Sequence, residues 1–309
     1  MARIAAGPVV VAVAILVVFG CIRRRDPKPL LSAIEHIVVD TQMKRSHSIG
    51  RADVLILGDS SVLMGIDAVQ LSHELGGARV ESLATIGFMG PRGYAKLLDN
   101  YVSAGHTAAT LVFLMHPKSL ETSESILVEG RYEQTVLDDR QTTSGLLLTE
   151  GRREIFSNVI DAAATLPLPG AYGKYYGWAD QVARAIRDGH GSLIDPHELR
   201  REDCTSGFVP RSASEAVLRR APYLRASVEH ARPARFLVGV TPVPESCHTD
   251  PTSRDSLLTQ LAEAIGRSHA TLNELPAALP DEYFASTTHL NREGRVHFTR
   301  LIARVLREP

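Results

Sequence analysis

The sequence predicts an α/β fold organised around a parallel sheet, and three observations carry that expectation. From about residue 50 onward, short apolar runs alternate with stretches of helical pattern, the signature of strand–helix–strand units. The apolar runs are nearly continuous instead of alternating with polar residues, which suits strands covered on both faces. The clearest of them also stop at turn formers, Gly58 after the first and Pro242 after the fourth.

The first strand is Asp53-Val54-Leu55-Ile56-Leu57, apolar and β-branched. A second is expected near Arg79 to Leu83, a third over Thr110-Leu111-Val112-Phe113-Leu114-Met115, and a fourth over Arg235-Phe236-Leu237-Val238-Gly239-Val240. A weaker fifth falls near Ala270 to Leu275. The chain closes with a helix from about Arg292 to Leu306, because Val296, Phe298, Leu301, Ile302 and Val305 recur at helical spacing. Between the third and fourth strands lies an insertion of about 120–230, far longer than one crossover helix needs. It carries a Leu166-Pro167-Leu168-Pro169-Gly170 break and the aromatics Tyr172, Tyr175, Tyr176 and Trp178, which either shape a substrate cleft or fill a small helical core.

Residues 4 to 22 contain no charge. At 1.5 Å per residue they form about 28 Å of helix, enough to cross a hydrocarbon core. A cleaved signal peptide would want a small-residue cleavage site before Arg23, which is absent. A lipoprotein signal would end at Cys21, but Val18-Phe19-Gly20-Cys21 carries Phe at its second position. The reading adopted is a membrane anchor over 1–25, a basic connector over 26–50 with an amphipathic helix around Leu30 to Val39, and one domain over 51–309. The flanking Arg23, Arg24, Arg25 and Lys28 favour a cytoplasmic domain by the positive-inside rule.

Composition narrows the function. With 44% hydrophobic and 22% charged residues the chain is ordinary globular protein, and its net charge of −1 gives no basic field for nucleic acid. The three cysteines Cys21, Cys204 and Cys247 lack metal-ligand spacing, although Cys204 and Cys247 could pair in an oxidising compartment. No Asp, Glu, His and Cys set is spaced as a metal site. The glycines Gly87, Gly90 and Gly93 form neither a phosphate loop nor a dinucleotide fingerprint, so no cofactor is expected.

Two segments carry chemistry. Gly58-Asp59-Ser60-Ser61 follows the first strand, where a buried strand turning sharply into a helix exposes a serine at the sheet's carboxyl edge. Taken alone, the same residues also read as a helix N-cap. Thr288-His289-Leu290-Asn291-Arg292-Glu293-Gly294 leads directly into the last helix. Together, in this order and context, the two segments resemble the SGNH/GDSL hydrolase superfamily, which has its nucleophile in Gly-Asp-Ser and its base in Asp-x-x-His before the final helix. His-Leu-Asn-x-x-Gly is similar to bacterial members acting on cell-surface polysaccharides. The resemblance runs from about residue 52 to the end, leaving the insertion unmatched.

That resemblance implies a three-layer, flavodoxin-like α/β/α fold with Ser60 as nucleophile and His289 as general base. It implies oxyanion donation from the Ser60 N–H and, in Leu83-Ala84-Thr85-Ile86-Gly87, from the Gly87 N–H; a plain turn at Gly87 is the competing reading. It also implies an extracytoplasmic, periplasmic domain, against the charge pattern, and this is the orientation adopted. Two departures stand out. The third block's asparagine is missing: Met115-His116-Pro117 occupies the strand end, where His116 either donates one hydrogen bond in its place or, the reading adopted, is an ordinary satisfied loop histidine. Where the motif has aspartate, this chain has Ser286. Either Ser286 Oγ or a backbone carbonyl orients the ring, or Asp281 or Glu282 reaches it, or the protein is catalytically weak or dead. Glu245, Cys247 and His248 are positioned to rim the pocket, while His297 is read as packed or partly exposed on the last helix.

The expected function is serine-dependent ester hydrolysis or O-acyl transfer on acyl groups of an extracellular glycan, with the membrane contacted through the N-terminal helix. The alternative is a non-catalytic glycan-binding or assembly factor of the same fold. Lipid ester hydrolysis near the bilayer is a third reading, suggested by the anchor alone.

Overall fold

The apolar runs do become strands, because each can bury both faces between helices. The computed structural model describes residues 31–122, 181–193, 212–247, 252–266 and 270–308. The proposed anchor, the Leu166–Gly170 break and its aromatics, Cys21, Cys204 and His248 lie outside them. Among the described residues no helix is long and apolar enough to cross a membrane. The chain divides into two compact units. One comprises Met1–Ile34 and Thr142–Gln181, of which only 31–34 and 181 are described. The other, Glu35–Gln141 with Val182–Pro309, contains the whole sheet.

Five strands form that sheet: β1 (Ala52–Gly58), β2 (Val80–Ser82), β3 (Ala108–Met115), β4 (Arg235–Val240) and, numbered in chain order, β6 (Ala270–Thr271). Their order is β2-β1-β3-β4-β6 and every pairing is parallel. This is the strand order of flavodoxin-like sheets. The fourth strand matches the expected bounds, and the first three fall within two residues of them. The fifth is two residues long, since among the described residues only Ala270 and Thr271 pair with β4. A separate two-residue parallel pair, β5 (Val243–Pro244) with β7 (Ala278–Leu279), was not foreseen. Leu55, Ile56 and Leu57, and Leu111 through Met115, are completely buried, as two-sided coverage requires.

The helices fall into two groups. From β1 the chain moves to β2 through α2 (Ser60–Gly65) and α3 (Ala68–Glu74), and these pack with the last helix, α8 (Arg292–Arg307). The remaining crossovers step the other way across the sheet, through α4 (Gly90–Ser103), α6 (Glu215–Ala231) and α7 (Ser253–Ile265), which pack with one another. Right-handed crossovers put opposite steps on opposite faces, so the two groups sandwich the sheet. Helix α4 buries Tyr94, Leu97, Leu98 and Tyr101 at helical spacing. Of the apolar positions expected to face inward on α8, Phe298, Ile302 and Val305 are buried, while Val296 and Leu301 are half-buried.

Helix α1 (Leu31–Ser46) runs well past the short helix expected in the connector, and its residues from Glu35 belong to the second unit. Val38, Val39 and Met43 are buried there. Arg45 Nη2 meets Glu81 of β2 at 2.8 Å, both side chains under a tenth exposed. Gln42 Nε2 donates to the Ala84 carbonyl at 2.8 Å and to that of Gly191 at 2.9 Å. The edge strand β2 is further capped where Ser82 N–H donates to the His190 carbonyl at 2.8 Å. An edge left open would invite foreign strands.

Candidate active site

A parallel sheet delivers every strand's following loop to one edge, and the chemistry gathers there. Ser60 follows β1, Gly87 follows β2, His116 follows β3, Thr241 follows β4, and the loop carrying His289 precedes α8.

Ser60 is the first residue of α2, with Asp59 as N-cap. The sharp turn depends on Gly58. A Cβ there would collide with the Leu114 carbonyl of β3 and lie 2.6 Å from Val62 Cγ2, so only glycine lets α2 fold back this closely. Being the first helical residue, Ser60 has no intrahelical acceptor for its N–H. Asp59 is completely buried. Its Oδ1 accepts from Ser61 N–H at 3.0 Å and from Ser61 Oγ at 2.5 Å, and its Oδ2 accepts from His116 N–H at 2.7 Å. Ser61 Oγ also shares a hydrogen bond with Thr241 Oγ1 at 3.0 Å. A single carboxylate thus binds the ends of β1, β3 and β4 together. The N-cap reading and the functional reading hold side by side.

His289 reaches this edge from 229 residues away, its Nε2 lying 3.0 Å from Ser60 Oγ. The motif residues around it explain how. Asn291 caps α8, its Oδ1 accepting from Gly294 N–H at 2.9 Å. Asn291 also donates from its backbone to the Tyr283 carbonyl at 2.9 Å and from Nδ2 to the Glu282 carbonyl at 2.6 Å. Gly294 sits against Tyr283, where a Cβ would strike the Tyr283 carbonyl. Asn291 and Gly294 therefore fasten the preceding loop to the start of α8. Leu290 is buried, pairs with Phe284 across an antiparallel bridge, and is the side chain that a Cβ on Gly65, at the end of α2, would meet at 3.4 Å. The His289 loop and the Ser60 helix are packed against each other.

The other ring nitrogen meets hydroxyls. Nδ1 lies 3.2 Å from Ser286 Oγ and 3.3 Å from Thr288 Oγ1. Ser286 Oγ in turn accepts from His289 N–H at 3.2 Å and Thr288 N–H at 3.3 Å. A neutral ring that accepts from Ser60 through Nε2 would carry its own proton on Nδ1, the nitrogen that faces these oxygens. Neither alternative carboxylate takes that place: Asp281 Oδ1 accepts from Ser246 N–H at 3.0 Å, and the contact made by Glu282 is through its backbone. Thr288 was not anticipated, although its hydroxyl sits next to the base in sequence.

Burial lowers the His289 pKa below the ordinary imidazole value, and the charge of Asp59 partly opposes that shift. So the anion nearest in effect to His289 approaches from the Ser60 side instead of from Nδ1. His116 departs from the satisfied loop histidine expected. It is 3% exposed; its Nδ1 accepts from Lys118 N–H at 3.1 Å as N-cap of the short helix α5 (Pro117–Leu120), and its Nε2 is buried with no partner among the described residues. The signal in the sequence was its place, directly after a strand with no polar residue in its last five positions.

Gly87 opens the 3-10 turn Gly87–Met89, so its N–H also lacks a partner within the turn. A Cβ there would approach Ser119 Oγ of α5 to 2.6 Å. Glu245 is exposed, whereas Cys247 is buried and disulfide-bonded. His297 is half-buried and stacks on Tyr283 at 5.0 Å. That stack, with Arg292, Glu293, Val296 and Arg300, lines a cleft of about 460 Å³ to which neither Ser60 nor His289 contributes. Among the described residues no group of His, Cys, Asp and Glu could hold a metal ion. No protein-family model matches the chain, and no curated protein matches it either.

Proposed function

We propose that the chain is a serine-dependent ester hydrolase or O-acyltransferase of the SGNH type. The observation that carries this reading is the 3.0 Å approach of His289 Nε2 to Ser60 Oγ, made by residues at opposite ends of the domain. A weak nucleophile beside a neutral base is the minimum needed for acyl transfer through serine.

The steps follow from the atoms present. Ser60 Oγ attacks the acyl carbonyl while its proton passes to His289 Nε2. The carbonyl oxygen becomes negative and takes hydrogen bonds from the Ser60 N–H and the Gly87 N–H, neither of which has a partner within its own helical turn. Collapse expels the alcohol, which leaves with the proton from Nε2. Water or a sugar hydroxyl then attacks the acyl-Ser60 ester by the reverse path. The hydroxyls of Ser286 and Thr288 hold the tautomer, and buried Asp59 supplies the negative charge that favours the imidazolium.

The glycan substrate and the membrane-tethered, extracytoplasmic setting come from the sequence resemblance and the apolar 4–22 segment. The disulfide at Cys247 supports an oxidising compartment, because such bonds rarely persist in reducing cytosol. A second reading is a non-catalytic glycan-binding or assembly factor. It is favoured by one observation, the hydroxyls standing where a carboxylate would face Nδ1.

Labelling of the full chain in detergent with a fluorophosphonate probe separates the two. The enzyme reading expects labelling that Ser60→Ala abolishes and His289→Ala slows steeply. Folded protein that takes no label supports the binding reading instead.

A further inference from the structure

We propose that the cleft between Tyr283 and the outer face of α8 binds an acidic saccharide, whose carboxylate meets Arg292 and Arg300 while its hydroxyls meet Glu293. The inference rests on the glycan reading above and specifies the charge that its ligand carries. Tyr283, Arg292, Glu293, Val296, His297 and Arg300 line the cleft of about 460 Å³. Sites for small molecules run from about 300 to 1,000 Å³. Arg292, Val296 and Arg300 recur every fourth residue, with Glu293 and His297 one position on, so all five share one face of the helix. The opposite face buries Phe298, Ile302 and Val305.

The walls are set in place without a ligand. The Tyr283 carbonyl accepts from Asn291 N–H at 2.9 Å, and Tyr283 packs so closely on Gly294 that a Cβ there would lie 2.8 Å from its own Cβ. The Tyr283 ring stacks on His297, centroids 5.0 Å apart and planes 23° from parallel. Farther along the helix, Glu74 Oε1 of α3 holds Arg300 Nε at 3.4 Å, and Gln70 Nε2 donates to the Val296 carbonyl at 3.3 Å. Walls already ordered lose little freedom on binding.

The lining selects the ligand. The side chains of Arg292 and Glu293 are exposed, and among the described residues neither makes an ion pair or hydrogen bond. A guanidinium pairs best with a carboxylate, through two parallel N–H···O bonds. Glu293 only accepts and repels a bare anion, so the ligand must also bring O–H donors. Val296 and the Tyr283–His297 stack offer an apolar wall. An oxyanion, several hydroxyls and an apolar face on one molecule describe an acidic sugar. Arg292 follows His289 by three residues, so their Cα atoms are at most about 11 Å apart. From there to Arg300 the cleft runs about 12 Å along α8. A chain of sugars seated in it leads to the loop that carries His289, with an acidic unit near the one whose ester Ser60 attacks.

The test titrates the full chain in neutral detergent with trigalacturonate, neutral maltotriose and inorganic phosphate, read by calorimetry. Trigalacturonate should bind more tightly than the other two, and less tightly as salt rises. Arg292→Ala should weaken it about tenfold, the usual effect of losing one charge-assisted hydrogen bond. Arg292→Lys should recover part of the loss by restoring charge without the fork. In wild-type protein labelled with nitrogen-15 histidine, trigalacturonate should shift the His297 ring signals, a readout independent of how the variants fold. Trigalacturonate that does not bind, that binds Arg292→Ala unchanged, or that leaves His297 unmoved overturns the inference. So does maltotriose bound as tightly, which removes the role of charge, or phosphate bound as tightly, which makes the cleft a plain anion site. Fluorophosphonate labelling of the same samples separates this inference from the acyl-transfer reading. Labelling of Ser60 without trigalacturonate binding sinks the cleft alone. Binding without labelling sinks acyl transfer and leaves the cleft standing, as the non-catalytic glycan-binding reading expects.

Discussion

Ser286→Asp asks how much the missing carboxylate costs. Ser286 Oγ stands 3.2 Å from Nδ1 of His289 and accepts two backbone N–H groups. Aspartate supports the same local turn, since its carboxylate accepts from backbone N–H groups one to three residues ahead, as serine does. The substitution is therefore accommodated without refolding the loop, and it brings a full negative charge to within about 4 Å of the imidazolium. At an effective dielectric constant of about 20, that attraction is about 4 kcal/mol before the new carboxylate's own desolvation is subtracted. If about half survives, turnover rises roughly tenfold to a hundredfold, at about 1.4 kcal/mol per decade. The assay is steady-state hydrolysis of 4-nitrophenyl acetate across pH 4 to 8. Wild-type kcat/KM should hold its plateau to below the usual imidazole range, because burial lowers the His289 pKa and the base must be neutral to work. In the variant the acid limb should move to higher pH as kcat increases. An unchanged kcat with an unmoved acid limb, in protein of normal stability, would refute the idea that Ser286 holds the acid's place.

Two further outcomes can be checked on folded protein. Gly294→Ala drives a methyl group onto the Tyr283 carbonyl, which already accepts from Asn291. Urea titration should show a loss of about 1–3 kcal/mol, and Ser60 labelling should slow beyond what the unfolded fraction explains; an unaltered midpoint would mean the loop is not fastened there. The second concerns acid stability. His116 has a folded pKa of about 4 against 6.5 for the free side chain, so between those values the unfolded chain binds a proton that the folded chain refuses. Stability should therefore fall as pH drops from about 6.5 to about 4, by about 3 kcal/mol in all at about 1.4 kcal/mol per unit. His289 adds a loss of the same sign. Urea midpoints that stay level over that interval would contradict the burial assigned to His116.

The parts of the fold legible in the sequence were those where one local signal sufficed. Leu55, Ile56 and Leu57 had to be buried on both faces because no polar residue interrupts them, and α8 announced itself through Phe298, Ile302 and Val305. Ser60 and His289 could be paired because the two segments that carry them resemble one family's motifs in order and context, and the fold brings the two side chains to 3.0 Å. Other features had no local signal. The two-residue pair β5–β7 is too short to leave a pattern. The extension of α1 through Ser46 depends on contacts with Glu81, Ala84 and Gly191, which no window around residue 40 contains. His116 was misjudged because the sequence shows a histidine before a proline, and only the fold shows that one ring nitrogen caps α5 while the other is buried without an acceptor among the described residues.

The same limit governs the acid. Reading the motif by spacing treats one aspartate as doing two jobs, fixing the ring's tautomer and offsetting the charge it acquires. On the proposed reading those jobs fall to different residues. Orientation at Nδ1 is met by Ser286 and Thr288, which need only accept a proton already in place. Charge is met by Asp59, which sequence spacing identifies as a cap and nothing more. Asp59 can serve both ends because Ser61, His116 and Thr241 lock its network at the sheet edge while Ser60 carries His289 into its field. A through-space charge at that remove is weaker than a hydrogen-bonded carboxylate at Nδ1. On the proposed reading the enzyme is therefore slower than a full triad and faster than a dyad set in neutral surroundings, which is why Ser286→Asp should raise the rate instead of merely preserving it.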